Sequence, residues 1–114
     1  MRWFLRSKIH KAQVIKTDLN YVGSIGVDKA LVKRAGLMAG EKVLVVDNTN
    51  GSRIETYIIE EKEYSGKVII YGAAARLIKK GDEIIIMGFE LANKTIRPKN
   101  ILVDKKNKFI KYLL

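Results

Sequence analysis

The chain has 114 residues, 47% hydrophobic and 30% charged, with a formal charge of +10, one histidine and no cysteine. That length supports one hydrophobic core in a single domain, residues 1–114. The composition excludes disulfides, thiolate metal sites, cysteine nucleophiles and a multi-histidine site within one chain, so no metal is expected.

The N-terminal MRWFLRSKIHK has only Trp3-Phe4-Leu5 as an apolar run before the next charge, too short for a signal peptide. Residues 9–16 alternate well enough for a strand. Asp28 can cap a helix with Ala30, Leu31 and Ala35 inward and Gly36 as its stop. Val43–Val46 has strand length and meets Asn48-Thr49-Asn50-Gly51, whose Asn-Gly step signals a hairpin. The returning strand is Arg53–Ile59, followed by a strand at Lys67–Tyr71 and a short helix at Ala73–Ile78. Strands at Glu83–Glu90 and Ile96–Val103 complete the pattern, with Pro98 tolerable at an edge or a strand start. Apolar stretches such as Ile84–Met87 are far below membrane-spanning length. A soluble, cytoplasmic protein without membrane attachment is expected. Its fold class is mainly β, a small closed barrel with short helices.

The charge is uneven. Residues 94–114 hold 7 Lys/Arg and 1 acid, a net of +6, against 15 and 11, a net of +4, in residues 1–93. A solvated basic tail is the ordinary explanation. The alternative is a non-catalytic basic barrel that binds nucleic acid, with Phe109 and Tyr112 stacking on bases. No nucleic-acid-binding motif accompanies it, and no nucleic-acid partner is expected.

Ser24 follows Gly23 in a segment read as a connecting loop. A serine hydroxyl can attack the carbonyl of its preceding residue when the backbone is bent, and glycine there accepts the required dihedrals. The amide becomes an ester, elimination cuts the chain to leave dehydroalanine, and hydrolysis gives a pyruvoyl group and ammonia. Alone, the dipeptide says little, because Gly51-Ser52 is another and needs only to turn the chain.

The surrounding blocks are more informative. They are Ser7-Lys8-Ile9-His10, Asp18-Leu19-Asn20-Tyr21-Val22-Gly23-Ser24, Asn50-Gly51-Ser52-Arg53, Thr56-Tyr57, Gly72-Ala73-Ala74-Ala75 and Gly81-Asp82. In this order and spacing the sequence resembles the bacterial aspartate 1-decarboxylases along almost its whole length. The resemblance implies a double-psi β-barrel, a homotetramer with active sites at subunit interfaces, and self-cleavage into 1–23 and 24–114. It implies L-aspartate as substrate, decarboxylated to β-alanine for pantothenate and coenzyme A synthesis. Ser24 would become the covalent pyruvoyl cofactor, which forms a Schiff base with the substrate amine and accepts electrons as carbon dioxide leaves. A maturation factor assists cleavage in some relatives.

By the same resemblance, Tyr57 is the proton donor to the carbanion, and Thr56 assists cleavage by bonding the Gly23 carbonyl. Arg53 binds a carboxylate, a task suited to a guanidinium fork. It is expected to hold the carboxylate that stays in the product, because clamping the departing one would stabilise the ground state. Lys8 is the second basic group, and Gly72, Ala73 and Ala74 form a small-residue turn contacting substrate. His10 shares the Lys8 face of its strand and is left outside the site.

Two positions depart from the family pattern. Tyr71 stands where the family often has asparagine, and Gly26 follows closely after the cut. A regular strand also puts Arg53 and Tyr57 on one face and Thr56 on the other. Joint action therefore requires a bulge or a neighbouring subunit.

Overall fold

The computed structural model describes residues 1–113. Its strands are β1 (Arg2–Gln13), β2 (Lys16–Asp18), β3 (Ser24–Asp28), β4 (Lys42–Asp47), β5 (Arg53–Glu61), β6 (Val68–Tyr71), β7 (Glu83–Ala92), β8 (Lys99–Val103) and β9 (Phe109–Leu113). One α-helix, α1 (Lys29–Ala35), follows β3, and a 3₁₀ helix spans Gly72–Arg76.

The sheet runs β2-β6-β3-β5-β4-β7-β1-β8-β9. Its two distant members, β1 and β2, are parts of one extended stretch interrupted only at Val14 and Ile15. The Val14 N–H donates to the Asp82 carbonyl and the Ile15 N–H to that of Val68, both at 3.0 Å. The first stretch of the chain therefore borders β7 at one end and β6 at the other, closing the sheet into a barrel. Parallel pairs (β2 with β6, β3 with β5) sit among antiparallel ones, in keeping with the small double-psi barrel expected. Ile9, Ile25, Val27, Ile58, Ile70, Ile84 and Ile86 fill its interior and are fully buried. β-branched side chains suit these pleated walls.

Local chemistry accounts for the connections. Asp28 caps α1, accepting from the Ala30 N–H at 2.8 Å, and Gly36 ends the helix in the left-handed region. The same buried carboxylate accepts from the Tyr64 and Gly66 N–H groups at 2.9 and 2.8 Å. It thereby fastens the β5–β6 turn to the start of α1. The 48–51 turn closes as expected, with the Gly51 N–H donating to the Asp47 carbonyl at 2.8 Å.

Four expectations need correction. Ser24 is not in a loop but opens β3, all five of whose residues are buried, and it pairs with Tyr71. The second helix is a 3₁₀ turn over Gly72–Arg76, shorter than Ala73–Ile78, because Gly72 begins it at φ +81° and Leu77 caps it. The basic tail is not simply solvated, since β9 pairs with β8, which in turn pairs with β1. Buried Asn107 locks this hairpin on, donating to the Gln13 and Gly66 carbonyls and accepting from the Gln13 N–H. The last strand before it starts at Lys99, after Pro98, which has no N–H for the ladder. Among the described residues no helix is long and apolar enough to cross a membrane.

Candidate active site

Ser24 is only 2% exposed, although Gly23 before it lies at the surface. The Ser24 Oγ donates to the Val22 carbonyl at 3.0 Å. This bond folds the Val22–Ser24 backbone tightly beside the peptide that the sequence singles out. Thr56, the expected partner of the Gly23 carbonyl, makes no hydrogen bond to it here. Attack of Oγ on the Gly23 carbonyl would require the hydroxyl to leave Val22.

Gly72 forms the floor under this segment. With φ +81° it sits in the left-handed region, and a Cβ there would lie 2.6 Å from the Gly23 Cα and 2.9 Å from its nitrogen. Only a glycine lets the two backbones approach so closely. Ala73 is exposed, whereas Ala74 packs partly against the core and its carbonyl accepts from the Leu77 and Ile78 N–H groups. Asn50 donates to the Leu77 carbonyl at 2.8 Å, tying the β4–β5 turn to this element.

β3 and β5 run parallel with Ile25 opposite Ile58, so continuing the register by one residue sets Ser24 beside Tyr57. Tyr57 is 38% exposed, and its neighbours Thr56 and Ile58 alternate to the other face. β5 has no bulge between Arg53 and Tyr57, as its pairing with β4 is continuous from Val46–Arg53 to Lys42–Tyr57. At about 3.3 Å per residue these two residues stand about 13 Å apart along the strand. Lys8 is more distant still across the sheet. It is opposite Met87, Met87 is opposite Leu44, and Leu44 is opposite Glu55. Three strand spacings of about 4.8 Å give about 14 Å from Lys8 to Glu55. Within one chain Gly23, Ser24, Tyr57 and Gly72 adjoin one another, whereas the backbones of Arg53 and Lys8 lie further along β5 and further across the sheet.

The face carrying Lys8 is incompletely satisfied. His10 Nδ1 and Asn100 Oδ1 are buried without hydrogen-bond partners, and Asn100 is directly opposite Lys8 in the β1–β8 pairing. Burial, then the charges of Lys8 and Lys11, pull the His10 imidazole below its ordinary value. Nearby on the same wall, a hollow of about 640 Å³ is lined by residues including Trp3, Leu44, Glu55 and Phe89, with Trp3 68% exposed.

Sequence reasoning gave no role to Tyr21 or Glu61. The Tyr71 hydroxyl donates to Glu61 Oε2 at 2.9 Å, and its ring lies 4.7 Å from that of Tyr21. Burial, then the Glu61 carboxylate, push the Tyr71 phenol up to about 12. Glu61 ends β5 without any local motif to mark it. The aromatics proposed for base stacking are engaged elsewhere. Phe109 packs on the core under the Arg34 guanidinium at 4.1 Å, and Tyr112 meets its edge at 5.1 Å.

A family model described as aspartate decarboxylase matches residues 1–110. Among relatives named aspartate 1-decarboxylase, that of Neisseria meningitidis is 51% identical over 111 residues, covering 94% of this chain and 87% of its own. That of Clostridium botulinum strain Alaska E43 is 50% identical over 107 residues, covering 90% and 86%. The Thermosipho africanus protein is 47% identical over 108 residues, covering 93% and 90%. A solved structure, the rationally designed mkDPBB_sym1 protein, is 20% identical with a TM-score of 0.48, covering 69% of this chain and 93% of its own. With a family model spanning nearly its whole length and relatives near half identity over most of theirs, this chain belongs to the aspartate decarboxylase family.

Proposed function

We propose that the chain is the precursor of an aspartate 1-decarboxylase that cuts itself between Gly23 and Ser24 and then converts L-aspartate to β-alanine and carbon dioxide. The observation that carries this reading is the buried Ser24 beside a Gly23 pressed against Gly72, within a chain of this family. Ser24 Oγ attacks the Gly23 carbonyl carbon, and the amide nitrogen leaves as the amine of an ester-linked Ser24. Loss of the Gly23 carboxylate by elimination and hydrolysis of the resulting dehydroalanine release ammonia and leave a pyruvoyl group on residue 24.

The surroundings of Ser24 fit such a group. It is screened from water, flanked in register by Tyr57 and opposite Tyr71. The pyruvoyl carbonyl supplies an electron sink for a substrate bound through its amine. Tyr57 returns a proton to the carbon that loses carbon dioxide. Arg53 holds the carboxylate that is retained, and Lys8 adds positive charge for an anionic substrate. Gly72, Ala73 and Ala74 offer backbone groups at close range.

A homotetramer with sites between subunits reconciles these roles with the distances. The backbones of Arg53 and Tyr57 are about 13 Å apart along β5 and Lys8 lies across the sheet, and a second copy supplying one or both basic groups would bring them to a substrate held at Ser24. The unpartnered His10 and Asn100 atoms and the exposed Trp3 give that copy something to cover. Pantothenate synthesis as the destination of β-alanine, a cytoplasmic location and a maturation factor follow from the family resemblance. The test is β-alanine formation from L-aspartate by purified protein. Activity in the native sequence and none in Ser24→Ala supports the proposal, and equal rates in both refute it.

A further inference from the structure

Tyr71 and Gly26, both singled out in the sequence, are joined by one side chain. Glu61 extends across Gly26, where an added Cβ would collide with its carboxylate and stand 2.9 Å from Cδ and 3.0 Å from Cγ. The same carboxylate receives the Tyr71 hydroxyl at 2.9 Å. Tyr71 is paired opposite Ser24, and Gly26 is two residues further along β3 on the same face. The ring of Tyr71 lies against that of Tyr21, two residues before Gly23, at 4.7 Å and 49°. Its next residue is Gly72, which touches Gly23 directly.

We propose that Glu61 and Tyr71 form a positioning pair for self-cleavage, holding Tyr21–Gly23 against Gly72, with Gly26 leaving room for the Glu61 side chain. The inference rests on the self-cleavage reading above and assigns Tyr71 no part in proton transfer to substrate. The hydroxyl anchors the ring from one side, and the ring restrains Tyr21 from the other. Without the anchor, the segment samples geometries in which Oγ is misdirected, and small misplacements of reacting atoms cost rate heavily. Burial and Glu61 raise the phenol to about 12, so the anchor keeps its proton throughout the neutral range.

The experiment follows cleavage of freshly isolated precursor by intact mass in the native sequence and in a set of variants, with melting temperatures recorded in a Ser24→Ala background. Tyr71→Phe and Glu61→Ala should each slow cleavage about tenfold, as for loss of one hydrogen bond to a charged group. The Tyr71→Phe/Glu61→Ala double variant should be no slower than either single one, because both remove the same bond. Glu61→Gln keeps an acceptor and should restore most of the rate.

Gly26→Ala should be slow alone but should add nothing once Glu61→Ala has removed the colliding carboxylate. A merely structural role would lower melting temperatures and give additive effects on rate. Native precursor that cuts normally while Tyr71→Phe cuts at the same rate overturns the positioning pair alone. Native precursor that never cuts overturns the cleavage reading and this inference with it.

Discussion

Gly72→Ala should damage this protein far more than Gly51→Ala, although both glycines have nearly the same positive φ. Their φ values are +81° and +79°, so each alanine meets a left-handed penalty of about 1–2 kcal/mol. At Gly51 nothing lies within 4 Å of the added carbon. At Gly72 the new carbon meets the Gly23 Cα, the Gly23 nitrogen and, at 3.3 Å, the Tyr21 carbonyl oxygen. All three are backbone atoms and cannot rotate away.

Overpacking of this kind adds about 1–3 kcal/mol. If the native contact is what bends Gly23 toward attack by Ser24, that excess slows cleavage about 5- to 150-fold. Stability should be compared by denaturant unfolding in a Ser24→Ala background at one protein concentration, since assembly shifts apparent stability. Cleavage should be followed by intact mass in the native background. Equal stability and equal cleavage rates for Gly72→Ala and Gly51→Ala would refute the argument that Gly72 is a glycine because of Gly23.

Tyr57→Phe should leave cleavage intact and lower turnover about 10²- to 10⁴-fold, the usual contribution of a positioned proton donor. Steady-state rates on mature protein would check this, and loss of cleavage instead would move Tyr57 to maturation. Arg53→Lys removes the bidentate fork and should lower kcat/KM about 10- to 150-fold, from a charged hydrogen-bond contribution of about 1.5–3 kcal/mol. Unchanged kcat/KM would exclude Arg53 from substrate binding. Asp47 is fully buried, and burial followed by the neighbouring Asp82 carboxyl raises its own carboxyl above the ordinary value. A raised folded value means that its contribution to stability is complete below about pH 4 and is lost as pH rises through the folded value. Asp47→Asn retains the acceptor for the Thr49 and Asn50 N–H groups and cannot ionise. Its melting temperature should therefore fall less from acid to neutral pH than that of the native protein, and identical slopes would contradict the assignment.

Features set by neighbouring residues were legible in the sequence. Asp28 and Gly36 bound α1 because a cap and a left-handed stop act within one helical turn. Asn50-Gly51 turns the chain for an equally local reason. The alternation that separates Thr56 from Arg53 and Tyr57 was also readable, and the continuous β4–β5 pairing preserves it. Ser24 was misplaced because its strand owes its existence to partners in β5 and β6, while the glycines around it resemble loop chemistry. β9 was missed because lysines flank Phe109, and the contacts that recruit it come from Asn107, Arg34 and β8. The Glu61–Tyr71 bond joins residues ten positions apart across two strands, with no motif to announce it. The separation of Lys8 from Ser24 is likewise a product of strand order, whereas that of Arg53 follows from its spacing along β5.

The most direct test of the account is the intact mass of the purified chain under denaturing conditions after prolonged incubation. The account predicts two fragments, residues 1–23 and 24–114, with the second lighter by one ammonia than a fragment beginning with ordinary serine. A single uncut chain, or a second fragment carrying an unmodified serine, would contradict it.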